Sequence, residues 1–322
     1  MERYHRQIIL SEIGHVGQRI IKQARVLVVG VGGLSSTLLM QLVGSGIGYI
    51  RLYDKDVVSL HNLHRQTLFT INDIGYSKVA CAKRTLKKYN PDVKIDAIQK
   101  LVTASILDHA LKNIDIVIDA ADNFVITYLL SDACHKHLIP LISASVLGRC
   151  GYVGGFCYNA PSYRAVFPFF PTSITNCNIF GVMGPAVATL GALQAQMVIS
   201  VLLGLLPSPL GCIINCDFIN WHFHKFRFDS ASEPKQPTIP FIDRQLISQD
   251  DCVIELRSYK EAPVSIINDV ERISPQEIYA WQPPNNRRII LICASGIRAA
   301  NAALILEKRG FSFLAILAAN YS

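Results

Sequence analysis

A short apolar strand that runs into a glycine turn constrains this 322-residue chain more than any other feature. Residues 25–31 read RVLVVGV, a run typical of a central parallel strand, and residues 34–42 follow with helical spacing. Gly30 lies near the end of the first run, and Gly32 and Gly33 lie between the two. Glycines at such a turn let backbone N–H groups approach phosphates at the helix N-terminus. The sequence therefore predicts a nucleotide site here.

Strand and helix patterns alternate through the first two thirds of the chain. Apolar runs at 49–53, 114–120 and 140–146 predict strands, and residues 78–88 and 125–135 carry helical periodicity. This alternation predicts a doubly wound α/β fold with a Rossmann-like, mostly parallel sheet.

Asp54 ends the second predicted strand, where an acidic side chain accepts hydrogen bonds from ribose hydroxyls. Ser35 stands where the dinucleotide-binding pattern has its third glycine. The turn and the acid by themselves leave NAD and ATP equally open, together with a glycine turn that only packs helix on strand.

Charged and amide side chains after the predicted strands favour ATP. Two cations and a carboxylate at the carboxyl ends of parallel strands suit a triphosphate with Mg²⁺ better than a nicotinamide ring. Taken singly, Arg65 also fits a surface ion pair, Lys78 a solvated helix lysine, and Asp122 a helix N-cap. The group consists of Asn62, Arg65, Gln66, Lys78, Asp122 and Asn123.

The composition indicates a globular protein without nucleic-acid or membrane partners. Half of the residues are hydrophobic and 17% are charged. The net charge is +7, and the sequence contains no block of consecutive Lys and Arg residues. The nine cysteines show no framework spacing, and the N-terminus has no apolar signal core, so we expect reduced thiols and a cytoplasmic location. Residues 186–206 are long and apolar enough to span a bilayer, but two central glutamines favour a buried or interface helix.

Seven motifs in order resemble the E1-like adenylyltransferases, and within them the ThiF/MoeB group. The resemblance covers residues 1–228 and implies a homodimer that binds ATP and Mg²⁺. It further implies adenylylation of the C-terminal glycine of a ubiquitin-like sulfur-carrier protein ending in Gly-Gly, of the thiamine or molybdopterin type. The motifs are RYHRQI at 3–8, GVGGL at 30–34, Asp54, NLHRQ at 62–66, Lys78, DAADN at 119–123 and GVMGP at 181–185.

The same resemblance implies a role for each site residue. Arg6 would reach the partner subunit's site and contact the phosphates, while Arg65 and Lys78 would neutralise them. Asp54 would hold the ribose and Asp122 would bind Mg²⁺. The remaining pocket residues would be Gly30, Gly32, Gly33, Asn62, Gln66 and Asn123.

Cys177 matches the thiol that precedes the Gly-Val-x-x-Pro turn in this family. An exposed thiolate there is a competent nucleophile toward an activated carrier. A loop cysteine without a role is the alternative.

The zinc site that this family usually carries is predicted to be absent. Ser162 and Ala165 occupy the positions of the first C-x-x-C pair, and no second pair follows Phe228. A further set of possible ligands consists of Cys212, Cys216, His222 and His224. If residues 213–226 form one strand, these thiols are poorly placed for a metal, so core cysteines and satisfied histidines are favoured.

The composition changes after Phe228, which predicts a linker at 229–249 and a second, smaller α/β domain at 250–322. Residues 252–256 and 288–292 look like strands, and 299–308 looks like a helix. ICASGIR at 292–298 resembles the active loop of rhodanese-type sulfurtransferases, in which Cys293 would carry a persulfide supplied by a cysteine desulfurase. Arg298 and the helix N-terminus would depress the pKa of this thiol. The domain is short for the family, and an inactive rhodanese-like module stays open.

Two rival functions accompany the adenylyltransferase prediction. A non-catalytic scaffold of the same fold is the first, because the zinc ligands and the third glycine are missing. An NAD-dependent oxidoreductase is the second; it lacks a recognisable His/Asp pair for hydride transfer.

Overall fold

A computed structural model describes residues 2–171, 181–235, 238–268, 270–284 and 286–321. The chain divides into two compact units. The first contains the described residues up to Val102, then Asp108–Val166, and the described residues from 181 to Ser232. The second contains Thr103–Leu107, the described residues that follow Val166 as far as 171, and the described residues from Glu233 onward.

A sheet of eight strands organises the described part of the first unit. The strands are β1 (Arg25–Val29), β2 (Tyr49–Tyr53), β3 (Lys94–Ile98), β4 (Ile116–Asp119), β5 (Leu141–Leu147), β6 (Cys150–Phe156), β7 (Cys212–Asp217) and β8 (His222–Arg227). Their spatial order is β3-β2-β1-β4-β5-β6-β7-β8. The first five strands in this order pair in parallel, and β6, β7 and β8 add antiparallel pairs. The predicted α/β fold with a mostly parallel sheet is confirmed.

Helices alternate with these strands along the chain. They are α1 (His5–Ile8), α2 (Gly14–Gln23), α3 (Gly33–Ser45), α4 (Lys78–Tyr89), α5 (Leu107–Ala110), α6 (Phe124–His137), α7 (Tyr163–Val166) and α8 (Gly184–Leu202). The strand β1 is buried at four of its five positions, which explains its continuous apolar run.

The helix α8 is long and apolar enough, by length and composition, to cross a membrane; among the described residues it alone passes that test. It packs against α3 and against strands β4, β5 and β6. Its buried Gln194 donates a hydrogen bond of 2.8 Å from Nε2 to the backbone oxygen of Asp119. In this structure α8 is a helix of the first unit's core.

Two parts of the sheet differ from the sequence prediction. The strand β3 was not expected, because it is a partly exposed edge strand with a mixed pattern. Residues 213–226 do not form one strand; they belong to the hairpin of β7 and β8. Asp217 Oδ1 accepts hydrogen bonds from the backbone N–H groups of Ile219 and Asn220, at 2.8 and 3.2 Å, and so stabilises the turn.

The second unit contains a parallel sheet in the order β11-β10-β12-β13-β9. Its elements are β9 (Phe241–Ile242), β10 (Cys252–Glu255), β11 (Glu271–Arg272), β12 (Ile289–Cys293), α9 (Ile297–Lys308) and β13 (Leu314–Ala318). Its own core includes Ile242, Ile290, Ile292 and Leu317.

Part of the segment predicted as a linker belongs to this second unit. Phe241 and Ile242 are buried and pair with β13. Asp243 accepts a hydrogen bond of 2.8 Å from the backbone N–H of Ser105, and Phe170 packs edge-on against Phe241 with ring centroids 5.4 Å apart. These contacts tie segments from earlier in the chain to the second sheet.

Candidate functional site

The glycine turn connects β1 to α3 as predicted, and its three glycines are needed for different reasons. Gly30 has φ of +92°, and an added Cβ would lie 2.6 Å from the backbone oxygen of Ala120. A Cβ on Gly33 would lie 2.7 Å from Val187. Gly32 differs, because a Cβ there would meet only Gln66 Nε2, at 3.8 Å. The absent side chain at Gly32 therefore leaves room in front of the turn rather than relieving a protein contact.

Asp54 joins this turn to the end of β2. Its Oδ2 accepts a hydrogen bond of 2.7 Å from the backbone N–H of Val31, and its Oδ1 accepts one of 2.8 Å from that of Asp56. Burial raises the pKa of Asp54, against the opposing effects of the Lys78 charge and these two hydrogen bonds. Each carboxylate oxygen keeps a further acceptor position, which suits the hydroxyls of a ribose.

The segment 62–66 brings an amide and a cation to the turn. The backbone oxygen of Asn62 accepts from the N–H groups of Arg65 and Gln66, at 3.1 and 3.0 Å. Gln66 is 4% exposed, and its buried Oε1 has no hydrogen-bond partner in the described part of the chain. Arg65 Cγ lies 3.5 Å from the Cβ position of Gly33. A buried acceptor without a donor costs about 1–3 kcal/mol, so this site fits a ligand that donates a hydrogen bond.

Lys78 begins α4 and is not a solvated lysine. It is 6% exposed, and its Nζ donates to Asp56 Oδ2 at 3.1 Å. The backbone N–H of Lys78 also donates to the backbone oxygen of Asp56 at 3.0 Å. Through Asp56 the ammonium is linked to Asp54, and so to the glycine turn.

The loop after β4 presents Asp122 to solvent. Asn123, and not Asp122, is the N-cap of α6, because its Oδ1 accepts from the backbone N–H of Ile126 at 3.0 Å. No hydrogen bond or ion pair engages the exposed Asp122 among the described residues. It is therefore available to a cation.

Sequence reasoning missed the role of Asp119, although the DAADN motif contains it. Asp119 is fully buried at the end of β4, and burial raises its pKa to about 6. Thr127 and Ser143 donate to its Oδ2 at 2.7 and 2.8 Å, and the backbone N–H of Ala121 donates to its Oδ1 at 3.2 Å. Asp119 thus holds the start of the loop that carries Asp122.

The structure brings most of the predicted nucleotide residues to one edge of the sheet. They are Gly30, Gly32, Gly33, Asp54, Asn62, Arg65, Gln66, Lys78, Asp122 and Asn123. Arg6 is exposed on α1 and makes no hydrogen bond to this group. Cys177 lies outside the described residues.

The residues that stand where the family's zinc-binding cysteines would be make other contacts. Ser162 Oγ accepts from the backbone N–H of Ala165 at 3.2 Å. Arg164 is 6% exposed, pairs with Asp132 at 2.8 Å from Nη2 to Oδ2, and stacks on the ring of Tyr128 at 4.8 Å.

In the described residues, no group of three or more His, Cys, Asp or Glu side chains is arranged to hold a metal. Cys212 and Cys216 are buried, whereas His222 and His224 lie on the exposed strand β8.

In the second unit, Cys293 ends β12, and residues 294–296 connect it to α9. Its Sγ is buried and accepts hydrogen bonds from the backbone N–H groups of Gly296 and Ala299, at 3.2 and 3.4 Å. Arg298, in the first turn of α9, forms a two-pronged ion pair with Glu261. Two backbone N–H groups at the start of α9 thus point at the cysteine sulfur.

Residues 4–238 match the ThiF family. The chain belongs to the ThiF family. Among curated relatives, it is 34% identical over 307 residues to a protein of Culex quinquefasciatus named "Adenylyltransferase and sulfurtransferase MOCS3", a match that covers 93% of this chain and 68% of that protein. It is 36% identical over 286 residues to the protein of the same name from Anopheles gambiae, covering 86% of this chain and 64% of that protein. The chain thus spans about two thirds of their length.

Solved structures agree with this membership. The chain is similar to E. coli MccB in a crystal structure with ATP, with a TM-score of 0.56 and 25% identity, covering 66% of this chain and 65% of that one. The resemblance to the E1-like adenylyltransferases inferred from the sequence motifs is confirmed.

Proposed function

We propose that this protein is an ATP-dependent adenylyltransferase for the C-terminal carboxylate of a ubiquitin-like sulfur-carrier protein. The observation that carries the proposal is that Arg65 and Gln66 lie beside the glycine turn, while Gln66 Oε1 has no partner in the described chain. Buried Lys78 is linked to the same turn through Asp56 and Asp54. Membership of the ThiF family, the names of the relatives and the ATP bound to MccB support the same activity.

The geometry assigns separate tasks to these side chains. Backbone N–H groups at the start of α3 bind phosphate oxygens, and Gly32 lets them approach. Asp54 accepts from the ribose, and Gln66 Oε1 accepts a hydrogen bond from the nucleotide. Arg65 and Lys78 stabilise the charge that develops on the phosphates, Lys78 exchanging Asp56 for a phosphate oxygen.

The reaction needs no general base. The C-terminal carboxylate of a carrier is ionised at neutral pH, so it attacks the α-phosphorus directly while pyrophosphate leaves. Catalysis rests on positioning and on electrostatic stabilisation. Asp122, exposed and without a partner among the described residues, suits a Mg²⁺ ion, which when bound neutralises phosphate charge.

The second unit suits a sulfur-transfer step after adenylylation. The relatives are named sulfurtransferases, and Cys293 occupies a helix N-terminus with two N–H donors on its sulfur. We infer that Cys293 carries a persulfide received from a sulfur donor such as a cysteine desulfurase, and passes this sulfur to the activated carrier.

Finer features belong to the same proposal. We propose a cytoplasmic homodimer in which Arg6, exposed on α1, completes the partner subunit's site. The carrier ends in Gly-Gly and serves thiamine or molybdopterin synthesis. Cys177 is proposed as the thiol that receives the activated carrier, and a zinc ion is not expected.

ATP–pyrophosphate exchange with candidate carriers ending in Gly-Gly tests the adenylylation proposal. Lys78→Ala should lower the exchange rate on the order of 10²-fold, because it removes charge stabilisation in the transition state. Lys83→Ala is the matched control, since Lys83 is exposed on the same helix. Exchange by the Lys78→Ala variant at the wild-type rate would refute the assignment.

A further inference from the structure

The surroundings of Cys293 contain two arginines, each already paired with a carboxylate of the chain. Arg298 binds Glu261 through both guanidinium Nη atoms, with Nη1 at 2.8 Å from Oε2. Arg257 binds Glu255 with Nε at 2.8 Å from Oε1 and Nη2 at 2.6 Å from Oε2. The two glutamates therefore largely cancel the positive charge that these arginines would present to an incoming anion.

Both arginines lie close enough to Cys293 for its charge to act on them. The pKa of Arg298 is raised first by its hydrogen bonds to Glu261, and also by its contact with Cys293. The pKa of Arg257 is raised first by Glu255, and also by the nearby charge of Cys293. Arg298 belongs to the same helical turn as Ala299, whose N–H donates to the cysteine sulfur.

The two ion pairs differ in how readily an anion can replace the carboxylate. The Glu255 side chain is 0% exposed and that of Arg257 is 10% exposed, and Ser265 adds a hydrogen bond of 2.9 Å to Glu255. The side chains of Arg298 and Glu261 are 37% and 39% exposed. Only the second pair lies open to exchange with solvent ions.

We propose that Glu261 is a specificity-determining residue for sulfur donors: by occupying Arg298 it disfavours small dianionic donors such as thiosulfate relative to persulfides. This inference rests on the proposed sulfur transfer at Cys293. Thiosulfate is a dianion, so it must displace Glu261 from Arg298 or approach the thiol against the Glu261 charge. A persulfide carries at most one negative charge, so both obstacles are smaller for it than for thiosulfate.

The chemistry is the same for both donors. The Cys293 thiolate attacks the outer sulfur of the donor, and a new Sγ–S bond forms while the donor's S–S bond breaks. The bonding electron pair leaves with the donor, as a thiolate from a persulfide or as sulfite from thiosulfate. No external oxidant or reductant is required, and transfer to cyanide as thiocyanate returns the Cys293 thiolate.

The test uses the full chain with cyanide as acceptor and either thiosulfate or 2-hydroxyethyl persulfide as donor. Glu261→Gln should lower the KM for thiosulfate about 10-fold, the effect of releasing one two-pronged charged pair, with little change in kcat. The KM for the persulfide should fall clearly less, because this donor offers Arg298 at most one negative charge where thiosulfate offers two. Glu307→Gln, an exposed change near the C-terminal end of α9, is the matched control.

A double variant distinguishes this charge effect from a general loosening of the loop around Cys293. In the Arg298→Ala background, Glu261→Gln should give no further gain with thiosulfate. An equal gain with both donors, or a gain that survives Arg298→Ala, would overturn the proposal. If persulfide forms on Cys293 but Glu261→Gln leaves the thiosulfate KM unchanged, the specificity inference is wrong and sulfur transfer stands. If neither donor forms a persulfide on Cys293 in any variant, both the specificity inference and the proposed sulfur transfer are wrong. The adenylylation proposal is unaffected by that result.

Discussion

Gln66 is the residue at which the structure points most directly to a bound nucleotide. Its amide oxygen is buried and unpartnered in the described chain, which costs stability without ligand. Gln66→Leu removes that oxygen and keeps an apolar side chain of similar size. We expect the ligand-free protein to be as stable as wild type or more stable, and ATP affinity to fall about 10-fold. Thermal unfolding and ATP titration check the two halves, and unchanged ATP affinity would contradict the assignment.

The buried pair of Glu255 and Arg257 sets a pH dependence in the second unit. Burial acts to raise the pKa of Glu255, but hydrogen bonds from Arg257 and Ser265 outweigh it, so the pKa is lowered. A lowered carboxyl pKa contributes stability that is present above the unfolded value of about 4.3 and is lost as pH falls through the folded value.

Glu255→Gln should therefore cost about 3 kcal/mol at pH 7, because Arg257 keeps an uncompensated buried charge. The difference from wild type should shrink as pH falls below about 4. Urea unfolding in a Trp221→Phe background measures it, since Trp281 then reports on the second unit. Glu307→Gln serves as control. A gap that stays constant between pH 7 and pH 3 would refute the ion-pair account.

At the scale of elements, the start of α8 positions the segment 62–66. A Cβ on Gly184 would lie 2.7 Å from the backbone oxygen of His64 and 3.7 Å from Arg65 Cα. Gly184→Ala should displace this segment and lower ATP affinity about 10-fold, although Gly184 itself need not touch the nucleotide. Gly44→Ala is the control, because its Cβ meets Tyr89 at an ordinary 3.4 Å. ATP titration that finds both variants equal to wild type would show that α8 does not position the site.

Sequence patterns correctly predicted the strands that are buried on both faces and are followed by a glycine or an acidic residue. Residues 49–53 were predicted as a strand and coincide with β2, and the strand of residues 25–29 ends at the glycine turn as expected. The edge strand β3 was missed, since it shows little apolar pattern. The exposed strand β8 was merged with β7 into one strand at 213–226. A hairpin and a single strand have the same alternation, and only the turn at Asp217 distinguishes them here.

At the scale of the whole molecule, each unit has its own sheet and its own buried cluster. We therefore expect the two chemistries to be separable by single substitutions. Cys293→Ser should leave ATP–pyrophosphate exchange within about 2-fold of wild type, and Lys78→Ala should leave persulfide formation on Cys293 intact, because neither residue supports the other unit's core. Loss of exchange in Cys293→Ser would show that adenylylation needs this thiol.

The candidate site was predictable in its residue types but not in its pairings. The order of the glycines, Arg65 and Lys78 along the sequence indicates a nucleoside triphosphate. The burial of Gln66 Oε1 without a hydrogen-bond partner in the described chain results from packing among distant segments, which no local sequence pattern reveals. The same is true of Glu261, which meets Arg298 across 37 residues of chain.

The proposed adenylylation of a C-terminal carboxylate is tested by the carrier's intact mass after incubation with ATP and Mg²⁺. We expect a carrier ending in Gly-Gly to gain one AMP when pyrophosphatase removes the leaving group. We expect no gain when the terminal carboxylate is replaced by an amide, because the attacking oxygen is then no longer anionic. If ATP binds but carriers with the intact tail never acquire AMP, the adenylyltransferase assignment is contradicted.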